Sequence, residues 1–151
     1  MKMQIGVIGA GTCDNSIEKM AEEVGREIAK RGAILICGGH GGVMEASARG
    51  AKMEAGTTLG ILPGDCRQDA NKHIDIAVLS NMGHARNAII AQSCDSLIAI
   101  GGEYGTLSEI ALSLKMGKKV VTLGSKWEIE GTIKASDPVG AVELAMSDLR
   151  S

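Results

Sequence analysis

The chain has 151 residues and a formal net charge of −2, with both signs of charge spread along its length. That is enough for one domain, 1–151, with a buried core, and it offers no basic block to neutralise a phosphate backbone. With Tyr104 and Trp127 as the only aromatic residues, stacking of single-stranded bases is disfavoured as well, so nucleic acid is not an expected partner.

The first segment, 3–9 (MQIGVIG), reads as a buried strand. A helix follows from Asn15, with Asn15 and Glu18 as a capping box. Ile17, Met20, Ala21, Val24 and Ile28 share its apolar face, and Gly32 stops it. Residues 33–37 form a second strand, with Cys37 as a small core residue. The glycine cluster 38–42 (GGHGG) opens a helix over 43–55, ended by Gly56. A strand over 57–63, a polar loop over 64–73 and a strand over 74–80 come next. Helix 84–93, strand 96–101, helix 105–117 and a last strand, 119–124, complete the alternation. Asp137 as N-cap with Pro138 behind it starts a final helix reaching about Leu149.

Short, continuously apolar strands alternating with helices predict a Rossmann-like α/β fold, a mainly parallel sheet with helices on both faces. Such sheets bind ligands at the carboxyl ends of their strands, where the strand order reverses. The glycine-rich turns among the 21 glycines fall at those ends. The first, 9–15 (GAGTCDN), has Gly9 and Gly11 but carries Asp14 where a dinucleotide fingerprint needs a third glycine. The second strand also ends without an acidic residue to bond a ribose, so an NAD-type site is disfavoured. No GxxxxGK[ST] pattern occurs.

The clusters CGGHGGVMEA and IGGEYGTLSE each run strand, glycines, helix. Unpaired amides and the positive end of the helix dipole favour an anion there, phosphate above all. Gly38, Gly39, Gly41, Gly42, Gly102 and Gly105 would supply backbone and Thr106 a hydroxyl. Arg86, at a helix start where a cation opposes the dipole, calls for an anionic partner. Glu45 and Glu109 each lie one turn into a helix, where a carboxylate complements the dipole whether or not it binds anything. His40 and His84 lie beside glycine turns without metal-ligand spacing, and the scattered Cys13, Cys37, Cys66 and Cys94 have no CxxC pair, so neither a protein-built metal site nor a disulfide framework is expected. The absence of a signal-like start or a membrane-length apolar run predicts a cytoplasmic protein without a membrane partner.

Together, the opening IGVIGAG, the stretch CGGHGGVMEASARGAKMEAGTTLGILPG and the stretch GHARNAIIAQSCDSLIAIGGEYGTLSEIALSLKMGKKVV resemble the Lonely Guy, or lysine-decarboxylase-like, Rossmann superfamily, which also holds the molybdenum cofactor carrier proteins. In the hydrolase motif PGGxGTxxE, Gly102, Gly105, Thr106 and Glu109 match, Gly101 stands at the proline and Glu103 at the second glycine. Arg86 matches the upstream arginine, followed here by Asn87 rather than lysine. The changed motif resembles the carrier branch more closely. That resemblance implies a binding protein for a phosphorylated or oxyanionic cofactor of molybdopterin type, with Arg86, Asn87 and the glycine turns as its site. The hydrolase branch implies instead cleavage of a nucleoside 5′-monophosphate, with Arg86 and Glu109 catalytic. Sites of this type are often completed across a subunit boundary, which predicts a homo-oligomer, dimer or tetramer.

Overall fold

The computed structural model describes residues 1–149. The apolar runs become β1 (Gln4–Gly9), β2 (Ile34–Cys37), β3 (Thr58–Leu62), β4 (Ile76–Leu79), β5 (Ser96–Ile100) and β6 (Lys119–Leu123), joined by a short β7 (Ile133–Lys134). All pairings are parallel, in the order β4-β3-β2-β1-β5-β6-β7. The expected parallel α/β sheet is therefore present. β7 corrects the expectation that the sheet ends at 119–124: two residues leave no periodicity to detect.

Alternation along the strands feeds two cores. Ile5, Val7, Ile98 and Ile100 face α1 (Asn15–Lys30), α2 (Val43–Met53) and α5 (Pro138–Met146). Ile8, Leu97 and Ala99 face α3 (Arg86–Ser93) and α4 (Tyr104–Lys115). β4 is an edge strand whose Ile76, Val78 and Leu79 are exposed. The order reverses at β1, which lies between β2 and β5 with Gly9 opposite Ile100, and this places the switch point at the turns after β1, β2 and β5.

Helix ends follow local chemistry, with three corrections. The N-cap of α1 is Asp14 rather than Asn15: its Oδ1 accepts from the Ile17 amide at 2.9 Å, and an aspartate caps as well as an asparagine does. α2 is ended by Ala55, not Gly56. Ala55 takes the left-handed conformation (φ +56°), while the Gly56 amide donates to the Ala51 carbonyl at 2.9 Å. Gly56 serves packing instead, since a Cβ there would come 2.6 Å from that of Ala29. Asp137 and Pro138 start α5 as expected, but the helix stops at Met146, short of Leu149.

α1 and α2 cross at two glycines. A Cβ on Gly25 would overlap the Ser47 carbonyl, and one on Gly50 the Glu22 carbonyl. Backbone contact this close fixes the two helix starts beside one another at the sheet's carboxyl edge. Arg49 ties the same helices, donating from Nε to Glu22 at 2.6 Å and from Nη2 to Glu18 at 2.9 Å. In an exposed helix, Gly→Ala stabilises by roughly 1 kcal/mol. Here Gly25→Ala and Gly50→Ala should each destabilise by about 1–3 kcal/mol through overpacking, read as a lower urea midpoint.

Candidate functional site

At the switch point lies a cavity of about 150 Å³ lined by Val7, Ile8, Gly9, Gly38, Met44, His84, Arg86, Asn87, Gly105 and Glu109. Five segments converge there: the end of β1, the turn after β2, the start of α2, the start of α3 and the first turns of α4. Gly105 and Glu109, four residues apart, share one helix face.

Arg86 is fixed by backbone. Its Nη1 donates to the carbonyl oxygens of Gly38 at 2.8 Å and Ile61 at 2.7 Å. Those oxygens close the turn after β2 and the end of β3, so the guanidinium ties two strands while its remaining donors stay without a protein acceptor among the described residues. Gly38 makes room for it, because a Cβ there would overlap Arg86 Nη1. Burial lowers the Arg86 pKa, with Glu109 opposing through space, and a guanidinium stays charged nonetheless. No carboxylate among the described residues comes within ion-pair distance of it.

Glu109 faces the same cavity. Burial pushes its carboxyl from 4.5 up to about 7, with Arg86 restraining the rise. It therefore passes between neutral acid and carboxylate near neutral pH. Cys37 beneath the site is buried, and its thiol is pushed up to about 11, which leaves it inert as a nucleophile.

The turn before α4 exposes amides. The first helical bond runs from the Leu107 amide to the Glu103 carbonyl at 3.0 Å, so the amides of residues 103–106 are those a helix start leaves without an internal acceptor. Glu103 points outward, 69% exposed in its side chain, and pairs with Lys126 at 3.0 Å. The substitution that would repel an anion is thereby turned away from the cavity. Tyr104 is 76% exposed and leans on Trp127, their centroids 5.7 Å apart.

The remaining sequence candidates divide. Gly11, Gly42 and Glu45 line a second cavity of about 290 Å³ with Thr12, Cys13, Glu18, Ala46 and Arg49. Gly42 (φ +61°) caps α2 where a Cβ would overlap the Ala10 carbonyl. Gly41 packs on Gly11, and the Gly39 carbonyl accepts from the Asn71 amide at 2.8 Å. Thr106 is buried under Gly102, whose added Cβ would come 2.6 Å from that of Thr106; neither lines the 150 Å³ cavity. Sequence reading missed Asn71, whose Nδ2 also donates to the His40 carbonyl at 2.7 Å and so pins the GGHGG turn. It missed Met44 and Arg49 as well, since each reads as an ordinary helical residue.

The SLOG cluster4 family model matches residues 2–146, and the chain belongs to that family. The molybdenum cofactor binding protein of the phototrophic bacterium Rippkaea orientalis superposes with a TM-score of 0.91 at 37% identity, with 95% of each chain covered. The molybdenum cofactor carrier protein of Chlamydomonas reinhardtii gives a TM-score of 0.83 at 36% identity, with 94% of each chain covered. The cytokinin riboside 5′-monophosphate phosphoribohydrolase of Mycobacterium tuberculosis is 34% identical over 95 residues, which are 61% of this chain and 51% of that one. The resemblance to the carrier-like branch of the superfamily holds.

Two outcomes follow. Gly38→Ala displaces Arg86 from the Gly38 and Ile61 carbonyls, visible in a crystal structure as a moved guanidinium on an unchanged sheet. The Glu109 proton also links to folding. Its folded pKa lies above its ordinary value, so the stability it contributes is fully present below about pH 4.5 and is lost as pH rises through about 7. Glu109→Gln should leave urea stability nearly unchanged at pH 4 and raise it by about 1–2 kcal/mol at pH 8.5.

Proposed function

We propose that this SLOG cluster4 protein binds a phosphorylated or oxyanionic small molecule at the switch point, as a carrier of the molybdenum cofactor type. The single observation that carries the reading is the held Arg86. A cation fixed by two carbonyls, with donors to spare, shares a cavity with Gly105 in the first turn of α4 and has no carboxylate paired to it among the described residues. Fixed donors of both kinds favour an anion without reorganisation when it arrives. Similarity to the two cofactor-binding structures over nearly the whole chain supports a carrier more than the shorter match to the hydrolase does.

Arg86 would hold the anion, the amide of Gly105 would donate to it, and Asn87 would add a polar contact. Gly9 and Gly38 would keep the approach open, while Gly102 packs on Thr106 and Gly39 and Gly41 hold the neighbouring turn. Glu109, neutral below about pH 7, would admit the anion without repulsion. Above that pH its charge opposes binding.

A second reading, hydrolysis of a nucleoside 5′-monophosphate, is favoured by one observation: Arg86 and Glu109 share a cavity, and Glu109 titrates near neutrality. Water would add across the N-glycosidic bond, its hydroxyl going to C1′ while the base leaves with the bonding pair and takes up a proton. The Glu109 carboxylate would stabilise the positive charge developing on the sugar. Both readings place the protein in a homo-oligomer, dimer or tetramer, with the exposed Ile76, Val78 and Leu79 of β4 as apolar surface to cover.

Ribose 5-phosphate binding by calorimetry tests the site. Affinity should drop about 10- to 100-fold in Arg86→Ala. It should also fall between pH 7 and 8.5, where the phosphate is already dianionic, and Glu109→Gln should abolish that fall. Unchanged affinity in Arg86→Ala would remove the proposal. Incubation with AMP should release no adenine; release that disappears in Glu109→Ala would replace the carrier with the hydrolase.

A further inference from the structure

At the sheet edge opposite β4, the segment joining β6 to β7 borders a cavity of about 300 Å³ lined by Thr122 and Trp127 among others. Thr122 is 4% exposed, yet its hydroxyl has no hydrogen-bond partner among the described residues. The indole Nε1 of Trp127 is buried and has no acceptor among them either. The buried hydroxyls of Ser47, Ser96 and Ser113, by contrast, each donate to a backbone carbonyl. A buried donor without an acceptor costs free energy, so an occupant of the cavity has to accept from Nε1. One water takes about 30 Å³, roughly a tenth of this space, while small-molecule sites begin at about 300 Å³.

The remaining lining carries both kinds of hydrogen-bonding partner. Glu128 and Glu130 offer acceptors and Lys134 offers donors. All three are exposed, and none forms an ion pair among the described residues, so their acceptors and donors stand apart instead of satisfying one another. Two carboxylates against one ammonium disfavour an anion, the reverse of the Arg86 cavity. Ile129 adds apolar surface and packs on the core beneath α3 and α4.

We propose that this cavity binds a single neutral sugar ring, at a site separate from the one at Arg86. A hydroxyl both donates and accepts. A ring of hydroxyls therefore accepts from Nε1 and Lys134, donates to Glu128 and Glu130, and does either with Thr122, while its C–H groups meet Ile129. A planar lactam such as uracil pairs along one edge and leaves much of this wall unmet. A phosphorylated ligand meets two glutamates.

Trp127 is the only tryptophan, so its fluorescence reports occupancy directly. Ribose or glucose should shift that emission saturably in the millimolar range, and uracil should not. Thr122→Val, which keeps the shape and removes the hydroxyl, should weaken sugar binding about tenfold. Arg86→Ala should leave it unchanged. A crystal soaked in the bound sugar should show a sugar oxygen within hydrogen-bond distance of Nε1. Should Thr122→Val not fold, Glu130→Gln at an exposed position takes its place, with a severalfold loss expected. The inference is overturned by the absence of a saturable shift with both sugars, by water alone at Nε1 in the soaked crystal, by affinity unchanged in the variant, or by uracil binding where the sugars do not.

Discussion

The Arg86 guanidinium, held by the carbonyl oxygens of Gly38 and Ile61, is the constraint on which the rest of the site depends. An arginine at a helix start faces an unfavourable dipole and, when partly buried, a desolvation penalty. Two carbonyls near strand ends meet that penalty. Because the partners are backbone, the charge is fixed in place without being neutralised, unlike Arg49, which two carboxylates hold. This is the difference between an arginine that binds helices together and one that keeps donors free.

The glycines divide into those that serve the site and those that bring its walls together. Gly38 yields the volume that the guanidinium occupies, and Gly42 permits a turn that a side chain would block. Gly25 and Gly50 lie within helices, and they let α1 and α2 approach until backbone meets backbone, which sets the start of α2 against the first turn. The spacing of the two cavities thus depends on residues that line neither of them.

Most of the fold was legible in the sequence because its signals are local. Apolar runs of four to six residues, several of them followed by glycine, mark parallel strands, and the capping of α5 by Asp137 with Pro138 behind it needs no tertiary help. Exceptions arose where the local signal is ambiguous or too short: Asp14 and Asn15 can both cap a helix, Ala55 took a conformation more often left to glycine, and β7 has only two residues. In the site, Arg86, Asn87, Gly105 and Glu109 were readable from motif spacing. The direction in which Glu103 points was not, because it depends on Lys126, 23 residues away.

The sequence by itself determined the alternating elements, the parallel sheet and the placement of glycine-rich turns at the carboxyl ends of strands, since periodicity and turn chemistry act over a few residues. It could also pair Arg86 with Glu109 through their spacing in a motif. Only the tertiary structure decided that the GGHGG cluster divides between two cavities, that Arg86 rests on carbonyls rather than on Glu109, and that Glu109 titrates near neutrality. Those outcomes are set by burial and by contacts between segments brought together at the switch point, and neither quantity is written in any local stretch of chain.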